Sequence, residues 1–326
     1  MLAAALRSKF VVITSAVGTL AGCAFIIKDR MQGEKFESKI KANDKVVLIT
    51  GCNTGIGKEA ALELAKRKAR VYMACRNMKK CEEARAEIVV DSNNGNVYCR
   101  ECDLASFESI RKFVSQFEKE TDRLDILINN AGVMRCPKSK TKDGIEMQLG
   151  VNHMGHFLLT ILLLEKLKKS SPSRIVVVSS VAHERGTINT ADLNSDETYD
   201  EADAYNQSKL ANILFANELS RKLTGTGVTV NSVHPGIVDT DIIRHMKFYK
   251  SWIAQIFVRP FVWPFLKNPK SGAQTVIALA LDPELEKTSG QYFCDLKPHN
   301  ISKAATNQNT AEWLWKVSEK WTGVSF

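Results

Sequence analysis

Short runs of apolar and β-branched residues alternate with helix-length stretches from Lys45 onward. Runs of about four to eight such residues favour buried strands, whereas amphipathic stretches of about ten or more favour helices. The alternation predicts right-handed βαβ units on a parallel sheet. The predicted strands are Val46 to Thr50, Arg70 to Cys75, Val97 to Cys102, Ile126 to Asn129, Arg174 to Ser179, Val228 to His234 and Gly290 to Cys294. The predicted helices include Ile56 to Lys68, Ser106 to Lys119, Asn152 to Lys169, Ala202 to Leu223 and Ser271 to Leu281.

The chain beyond Lys45 carries no internal repeat and no linker that divides it. Strands and helices that alternate in this way build an open sheet covered by helices on both faces. We therefore predict the α/β fold class, with a single Rossmann-like, doubly wound parallel sheet of about seven strands over residues 45–326.

One uncharged and mostly apolar stretch, Phe10 to Ile27, precedes this body. It reaches the lower limit of a membrane span, about 17 residues, and exceeds the usual signal-peptide core of about 15. We expect residues 1–30 to be a membrane anchor or targeting segment and residues 31–44 to be a polar linker. More Lys and Arg follow the stretch than precede it, which places the body on the cytosolic or matrix-like side. A buried core helix is the alternative, and the absence of acids before Asp29 also allows a mitochondrial address.

Composition and charge exclude several classes of protein. The 326 residues are 44% hydrophobic and 25% charged, which excludes a disordered chain and a many-pass membrane protein. The net charge of +9 is scattered along the chain without a basic stripe, so we expect no nucleic-acid partner. A phosphorylated small ligand or an anionic membrane is compatible with this charge.

The eight cysteines have irregular spacing, which is typical of free thiols in a reducing compartment. Cys99 and Cys102 lie in one predicted strand, where alternation directs them to opposite faces and so to the core rather than to a shared zinc or redox site. His153 and His156 could share a metal on a helix, but no carboxylate stands beside them at ligand spacing. We therefore predict no metal.

A glycine turn follows the first predicted strand directly. Gly51, Gly55 and Gly57 have the spacing G-x-x-x-G-x-G and lead into a helix. Glycines allow the backbone to approach a ligand closely, and the free N–H groups at a helix N-terminus bind a pyrophosphate. Taken alone, the turn is equally compatible with a purely structural loop.

Further polar groups follow the ends of later strands. The run Asn129-Asn-Ala-Gly132 closes the fourth strand, Ser179-Ser180 closes the fifth, and Tyr205 and Lys209 lie early in the next helix. Open α/β sheets bind ligands at this edge, and residues four apart share one helix face. Each feature alone could serve packing, but together they predict a ligand site.

This set of motifs is similar to that of the short-chain dehydrogenase/reductase family. The similarity covers Lys45 to about Cys294 and rests on the glycine turn, Asn129-Asn-Ala-Gly132, Asn152, Ser180 and Tyr205-x-x-x-Lys209. The runs Ala74-Cys-Arg76, Ile128 to Arg135, Val151 to Phe157, Ser179 to His183 and His234 to Val238 resemble the retinol dehydrogenase branch, whose N-termini are membrane-associated. The leader, with its Gly18-Thr-Leu-Ala-Gly22, resembles that of the mitochondrial-type member.

The resemblance implies hydride transfer between a nicotinamide cofactor and a carbonyl or alcohol, with Tyr205 as the acid/base. A free phenol has a pKa of about 10, and the nearby charge of Lys209 would favour the phenolate. The resemblance also implies that Lys209 binds the nicotinamide ribose, that Ser180 holds the substrate oxygen, and that Asn152 positions a water of the proton relay.

The resemblance assigns the cofactor to the same edge of the sheet. The implied cofactor-binding residues are Gly51, Asn53, Thr54, Gly55, Ile56, Gly57, Arg76, Asp103, Asn129, Ala131, Tyr205, Lys209, Pro235, Gly236 and Val238. An NAD enzyme would place an acid after the second strand, whereas Arg76 offers a guanidinium suited to a 2′-phosphate. We therefore predict NADP(H), with a solvated strand-end charge as the alternative for Arg76.

Aromatic residues with basic flanks crowd the segment of about 237–270, where the family has its substrate lid. They are Phe248, Tyr249, Trp252, Phe257, Phe261, Trp263 and Phe265. They favour an apolar, retinoid-like substrate and an interfacial surface. The alternative is that they pack on the body or on the partner of a possible homodimer.

We therefore expect an NADP(H)-dependent oxidoreductase that interconverts an apolar alcohol and its aldehyde or ketone, with retinol and retinal as the first candidates. The expected location is the inner mitochondrial membrane or the membrane of the endoplasmic reticulum. A reductase of steroid, lipid-aldehyde or xenobiotic carbonyls is the alternative with the same chemistry. A catalytically idle nucleotide-binding scaffold is the alternative from another class.

Overall fold

A computed structural model describes residue 19, residues 22–245 and residues 258–326. Within these ranges the strands form one sheet in the order β3-β2-β1-β4-β5-β6-β7-β8. Strands β1 to β7 are parallel, and β8 is antiparallel to β7. Their bounds are β1 Val46–Thr50, β2 Arg70–Cys75, β3 Val97–Glu101, β4 Ile126–Asn129, β5 Ser173–Val178, β6 Val228–His234, β7 Tyr292–Cys294 and β8 Lys297–Pro298.

Helices cover both faces of this sheet. Their bounds are α1 Gly55–Lys66, α2 Met78–Ser92, α3 Phe107–Glu120, α4 Met147–Lys169, α5 Glu201–Lys222, α6 Arg259–Val262, α7 Pro269–Leu281 and α8 Gln308–Thr322. Buried side chains of α1, α2 and α7 form the core on one face, and those of α3, α4 and α5 form the core on the other. Helix α4 contains a π-helical turn over Gly150–Met154.

The strand order places β1 beside β4, although β2 and β3 lie between them along the chain. The connections therefore leave in opposite directions at β1 and β4, which opens a crevice at the carboxyl ends of these strands. The glycine turn after β1 and the polar run after β4 both lie at this crevice.

The predicted α/β, doubly wound class is confirmed, and each of the seven predicted strands is present. The bounds of β1, β2, β4 and β6 agree with the prediction to the residue. The additional strand, β8, consists of two exposed residues, so it carries no run of buried residues that a hydropathy pattern could detect. The sheet thus has one more strand than predicted.

The prediction that all eight cysteines are free thiols was wrong for two of them. Cys81 and Cys99 form a disulfide, with their Cα atoms 6.0 Å apart. Helix α2 packs across β3, which brings these residues together even though their spacing resembles no known motif. Cys99 and Cys102 are both buried, in the cores on opposite faces of the sheet, as the alternation predicted.

The predicted anchor, Phe10 to Ile27, lies outside the described residues except for residues 19 and 22–27. Residues 22–31 are helical. Within the described ranges only α4 is long and apolar enough to cross a membrane, and 83% of its most apolar window is buried inside the body. Helix α4 is therefore a buried core helix of the body.

The expected linker, residues 31–44, packs on the body rather than standing apart from it. The guanidinium of Arg67 donates hydrogen bonds to the carbonyl oxygens of Ser38 and Ile40 at 2.6 and 3.1 Å. Phe36 contacts the apolar core, and Ala42 is buried within it. These contacts attach the segment to the sheet, which its polar composition did not indicate.

Candidate active site

The turn after β1 has the backbone geometry of a ligand cradle. Gly51 and Gly55 have φ values of +64° and +60°, a region that favours glycine. A Cβ atom on Gly57 would lie 2.5 Å from Nδ2 of Asn130, so this position is closed to any larger residue. Helix α1 begins at Gly55, and the side chain of its N-cap, Thr54, forms no capping bond. The first N–H groups of α1 therefore lack a side-chain cap and suit an anionic ligand.

Thr50 joins the ends of β1 and β4 beneath this cradle. Its Oγ1 accepts hydrogen bonds from the backbone N–H groups of Asn130 and Ala131 at 2.9 and 3.0 Å. The same oxygen bonds with Nε2 of His156 on α4 at 2.8 Å. Asn130 in turn donates from Nδ2 to the carbonyl oxygens of Thr50 and Gly51. These bonds fix the two strand ends relative to each other.

A cavity of about 600 Å³ lies along the carboxyl ends of the strands. Its wall contains most residues expected at the site: Gly51, Asn53, Thr54, Gly55, Ile56, Gly57, Arg76, Asp103, Ala131, Ser180, Tyr205, Lys209, Pro235, Gly236 and Val238. A dinucleotide fits this wall, because a glycine cradle and a helix N-terminus lie at its centre and cationic side chains lie beyond β2.

Asn129 does not line the cavity, and Asn130 takes its place. Alternation along β4 turns the Asn129 side chain into the body, where it is fully buried and its Nδ2 donates to Oγ1 of Thr160 at 2.8 Å. Asn130 follows the last strand residue and lies on the cavity wall. Asn130, and not Asn129, is therefore the amide of this pair that lines the cavity.

Asn152 lies in the π-helical turn of α4, behind the cavity wall. Its Oδ1 accepts a hydrogen bond from the N–H of Val133 at 2.8 Å, and its Nδ2 donates to Oγ of Ser208 at 2.9 Å. The side chain thus connects the loop after β4 with α5. Single π-helical turns of this kind occur frequently at functional sites.

Tyr205, Lys209 and Ser180 meet at one end of the cavity. Tyr205 and Lys209 lie one turn apart on α5 and are 7% and 2% exposed. Nζ of Lys209 lies 5.8 Å from the ring centroid of Tyr205. Ser180 begins the turn after β5, and its Oγ accepts a hydrogen bond from the N–H of Ala182 at 3.2 Å.

Burial raises the pKa of Tyr205 to about 12, while a hydrogen bond with Ser180 and the charge of Arg135 act in the opposite direction. Burial also lowers the pKa of Lys209 to about 8. Nζ of Lys209 donates a hydrogen bond to the carbonyl oxygen of Val178 at 3.1 Å. In this arrangement the phenol holds its proton at neutral pH, so it can act as an acid.

The two histidines weighed as metal ligands face different partners. His153 bonds through Nε2 with Oγ of Ser318 on α8, whereas His156 bonds with Thr50. Burial lowers their pKa values to about 3 and about 4. Both are therefore neutral imidazoles inside the protein at physiological pH.

Several residues of the cavity wall were not anticipated individually. They are Asn77, Lys80, Asn130, Val133, Thr240 and Arg244. Lys80 lies in the first turn of α2, four residues after Arg76, which is a spacing that could have signalled a second cation. Thr240 and Arg244 belong to the predicted lid and have no distinctive sequence signal.

The predicted lid is described only in part. Phe248, Tyr249, Trp252 and Phe257 lie outside the described residues. Phe261 and Phe265 are 77% and 50% exposed. Trp263 forms an edge contact with Phe25 of the N-terminal helix, with ring centroids 5.4 Å apart. The described aromatic residues therefore face outward or toward that helix.

Comparison with known proteins agrees with this geometry. The model of the short chain dehydrogenase family matches residues 45–248. Human retinol dehydrogenase 13 is 47% identical over 318 residues, which cover 97% of this chain and 96% of that protein. Human retinol dehydrogenase 12 is 50% identical over 312 residues, which cover 96% of this chain and 97% of that protein.

Solved structures share the fold. An uncharacterised protein from Mycobacterium paratuberculosis is 34% identical, with a TM-score of 0.72 over 90% of this chain and 99% of that one. Pseudomonas aeruginosa RhlG, solved as a complex with NADP, is 24% identical with a TM-score of 0.63 over 78% of this chain and 95% of that one. With its motifs, cavity and relatives in agreement, the chain belongs to the short-chain dehydrogenase/reductase family and to the retinol dehydrogenase branch of it.

Proposed function

We propose that the protein is an NADP(H)-dependent oxidoreductase that interconverts an apolar alcohol and its aldehyde or ketone. The observation that carries the proposal is the meeting of Tyr205, Ser180 and Lys209 at one end of a cavity whose wall also contains Arg76. Tyr205, Ser180 and Lys209 supply a proton donor and hydrogen-bond donors for the substrate oxygen. Arg76, at the other end of the cavity, supplies a cation for the 2′-phosphate of the cofactor.

The choice of NADP(H) rests on the residues that follow β2. Arg76 comes directly after the strand, and Lys80 follows in the first turn of α2, with both on the cavity wall. A 2′-phosphate between a guanidinium and an ammonium gains charge-assisted hydrogen bonds that a 2′-hydroxyl cannot match. The strand end offers no carboxylate, which is the group that an NAD ribose requires.

When bound, the nicotinamide supplies or accepts the hydride. In the reductive direction, the Tyr205 phenol donates a proton to the substrate oxygen as negative charge develops there. Ser180 donates a hydrogen bond to the same oxygen and stabilises that charge. Lys209 is held close enough to Tyr205 for its charge to favour the proton's departure, and Asn152 keeps the loop after β4 in place beside them.

The proposed substrate is apolar, with retinol and retinal first. Two relatives that match this chain over nearly their full length carry the name retinol dehydrogenase. The exposed aromatic residues Phe261 and Phe265 lie in the segment that continues from the cavity wall, and they suit contact with an apolar molecule. Steroid, lipid-aldehyde and xenobiotic carbonyls are the competing substrates that an assay must include.

We further propose attachment to a membrane of the mitochondrion or the endoplasmic reticulum through residues 1–30. The support is the apolar stretch from Phe10, which leads into the helix over residues 22–31. Deletion of residues 1–21 keeps the described contacts of that helix and should move the protein from the membrane to the soluble fraction. Retention of this shortened chain on membranes would assign attachment to another surface.

Homodimer formation is part of the proposal and is testable by light scattering of the full chain in detergent.

Purified full-length protein tests the activity directly. We expect oxidation of NADPH in the presence of all-trans-retinal, a lower kcat/KM with a steroid ketone and a medium-chain aldehyde, and weak turnover with NADH. Preference for the steroid or the aldehyde would replace the retinoid assignment while keeping the chemistry. Binding of NADPH without turnover of any carbonyl would favour the idle scaffold instead.

A further inference from the structure

The N-terminal helix, residues 22–31, contacts the segment that leads the chain back to α7. We call residues 258–268 the return segment. Lys28 donates from Nζ to the carbonyl oxygens of Trp263 and Leu266 at 3.2 and 2.5 Å, and its Nζ lies 5.0 Å from the Trp263 ring centroid. The N–H of Asn268 donates to Oε1 of Gln32 at 2.9 Å. These contacts join parts of the chain that lie more than 200 positions apart.

The return segment is itself bonded to the residues that follow β6. The N–H of Lys267 donates to the carbonyl oxygen of Ile237 at 2.8 Å, and the N–H of Asp239 donates to that of Lys267 at 3.0 Å. The Lys267 ammonium, largely buried, forms an ion pair with Asp295 after β7. Lys267 is thus fixed at three points, two through its backbone and one through its side chain.

These bonded residues belong to the wall of the cavity. Gly236 and Val238 line it, and the chain continues from them through Thr240 and Arg244, which line it as well. A Cβ atom on Gly236 would lie 2.8 Å from Cδ of Lys267, so the two residues are in close contact. Because hydrogen bonds are directional, the two backbone bonds of Lys267 constrain Ile237 and Asp239, the neighbours of the wall residues Gly236 and Val238.

We propose that Lys28 is a positioning residue for the substrate side of the active site, acting through the return segment and Lys267. Its ammonium has three N–H donors, and two of them serve carbonyl oxygens of the return segment. Trp263 begins a single helical turn, Trp263–Phe265, and Leu266 follows it. The carbonyl oxygen of Trp263 also accepts a hydrogen bond from the N–H of Leu266 at 3.2 Å, and the carbonyl of Leu266 follows the turn. A cation beside carbonyl groups at the C-terminal end of a helical turn is stabilising.

A lysine that served only a membrane surface would stand free in solvent. Burial instead lowers the pKa of Lys28, and the nearby charge of Asp239 acts in the opposite direction. Asp239 also lies 3.5 Å from the guanidinium of Arg259 in an ion pair. The Lys28 ammonium therefore lies near both the return segment and Asp239, and Asp239 is bonded to the return segment through Lys267.

The kinetic part of this inference rests on the proposed function, so its test combines kinetics with a readout that needs no turnover. Full-length Lys28→Met, Lys28→Arg and Arg30→Met variants are compared in detergent. Arg30 is the matched control, since it is an exposed cation of the same helix whose side chain forms no hydrogen bond with the described residues. Hydrogen exchange is followed at the amides of Asp239 and Lys267, and KM and kcat are measured for the carbonyl substrate.

We expect Lys28→Met to accelerate exchange at both amides and to raise the carbonyl KM by about tenfold, as for the loss of one or two charged hydrogen bonds. The kcat should change little, and the KM for NADPH should rise less than the carbonyl KM, since Gly236 and Val238 are also expected to contact the cofactor. Lys28→Arg should restore most of the effect, and Arg30→Met should match wild type. The inference is overturned if exchange at both amides is unchanged in Lys28→Met. It is also overturned if exchange is faster but kcat falls about tenfold and the carbonyl KM does not rise. If the wild type turns over no carbonyl, the proposed function fails, and the exchange rates alone decide the role of Lys28.

Discussion

The ammonium of Lys209 lies 5.8 Å from the ring centroid of Tyr205 but donates its hydrogen bond to the carbonyl oxygen of Val178. In return, Oγ of Ser179 donates to the carbonyl oxygen of Lys209 at 2.7 Å. Bonds in both directions therefore hold α5 to the end of β5. They set the position of the phenol relative to Ser180, the next residue along the chain, and so bring the proton donor and its hydrogen-bonding neighbour together.

Replacement of Tyr205 by Phe removes the proton donor while leaving the ring in place. We expect kcat for carbonyl reduction to fall by about 10²- to 10⁴-fold, because the proton then has to come from water. The affinity for NADPH should stay within a few-fold of wild type, since the cradle and Arg76 are untouched. Steady-state kinetics and a fluorescence titration with NADPH measure the two quantities.

Tyr98→Phe is the matched control for Tyr205→Phe. The Tyr98 hydroxyl donates to Oδ1 of Asn96 at an exposed site on β3, away from the cavity. Its loss should leave both kcat and NADPH affinity unchanged. Full turnover by Tyr205→Phe would exclude this phenol as the acid.

Burial of Lys209 makes stability depend on pH in a definite direction. Its pKa is about 8 in the folded protein and 10.5 when exposed, so the unfolded chain binds more protons between these values. The free energy of unfolding contributed by this group therefore rises with pH, by about 3 kcal/mol between pH 8 and pH 10.5. Urea denaturation of wild type and Lys209→Met over this interval measures the contribution.

The comparison with Lys209→Met separates this residue from other groups whose proton binding differs between the two states in this interval, such as the thiol of Cys102, whose pKa is raised by burial from 9.0 to about 12. Wild type should gain stability relative to the variant as the pH rises above 8. Between pH 6 and pH 7 the difference should be constant, because Lys209 is then protonated in both states. A difference that stays constant up to pH 10.5 would mean that the ammonium is not desolvated in solution.

Arg76→Asp should shift cofactor preference from NADPH toward NADH. The carboxylate repels a 2′-phosphate and accepts a hydrogen bond from a 2′-hydroxyl. The loss of one charged hydrogen bond corresponds to an increase of about tenfold or more in the KM for NADPH. Arg70→Asp, at the opposite end of β2, is the control and should leave both KM values unchanged. Retained preference for NADPH in Arg76→Asp would assign the phosphate to Lys80.

Local patterns were sufficient to predict the sheet and most of the site. The runs that became β1, β2, β4 and β6 are buried and bounded by turn residues, so their limits are visible in one dimension. The glycine turn and the Tyr205–Lys209 pair are likewise local motifs. For these residues, neighbours along the chain determine the geometry.

The features that the sequence did not reveal depend on contacts between distant elements. The pairing of Cys81 with Cys99 requires knowledge of how α2 crosses β3. The cavity is lined by Asn130 and not by the expected Asn129, because β4 ends at Asn129 and the alternation of side chains along the strand turns that residue into the body. The bonds of Lys28 reach residues 235 and 238 positions away.

Thr50→Val tests the joint between β1 and β4. Valine keeps the shape of threonine but leaves the N–H groups of Asn130 and Ala131 and the imidazole of His156 without the hydroxyl oxygen that they bond. We expect a loss of about 1 to 3 kcal/mol in the free energy of unfolding and a weaker affinity for NADPH, since Asn130 and Ala131 line the cavity. Thr50→Ser retains the oxygen and should restore both, whereas Thr224→Val removes an exposed hydroxyl and should be close to neutral. Equal stability of Thr50→Val and wild type in urea denaturation would show that the two strand ends hold their positions without this oxygen.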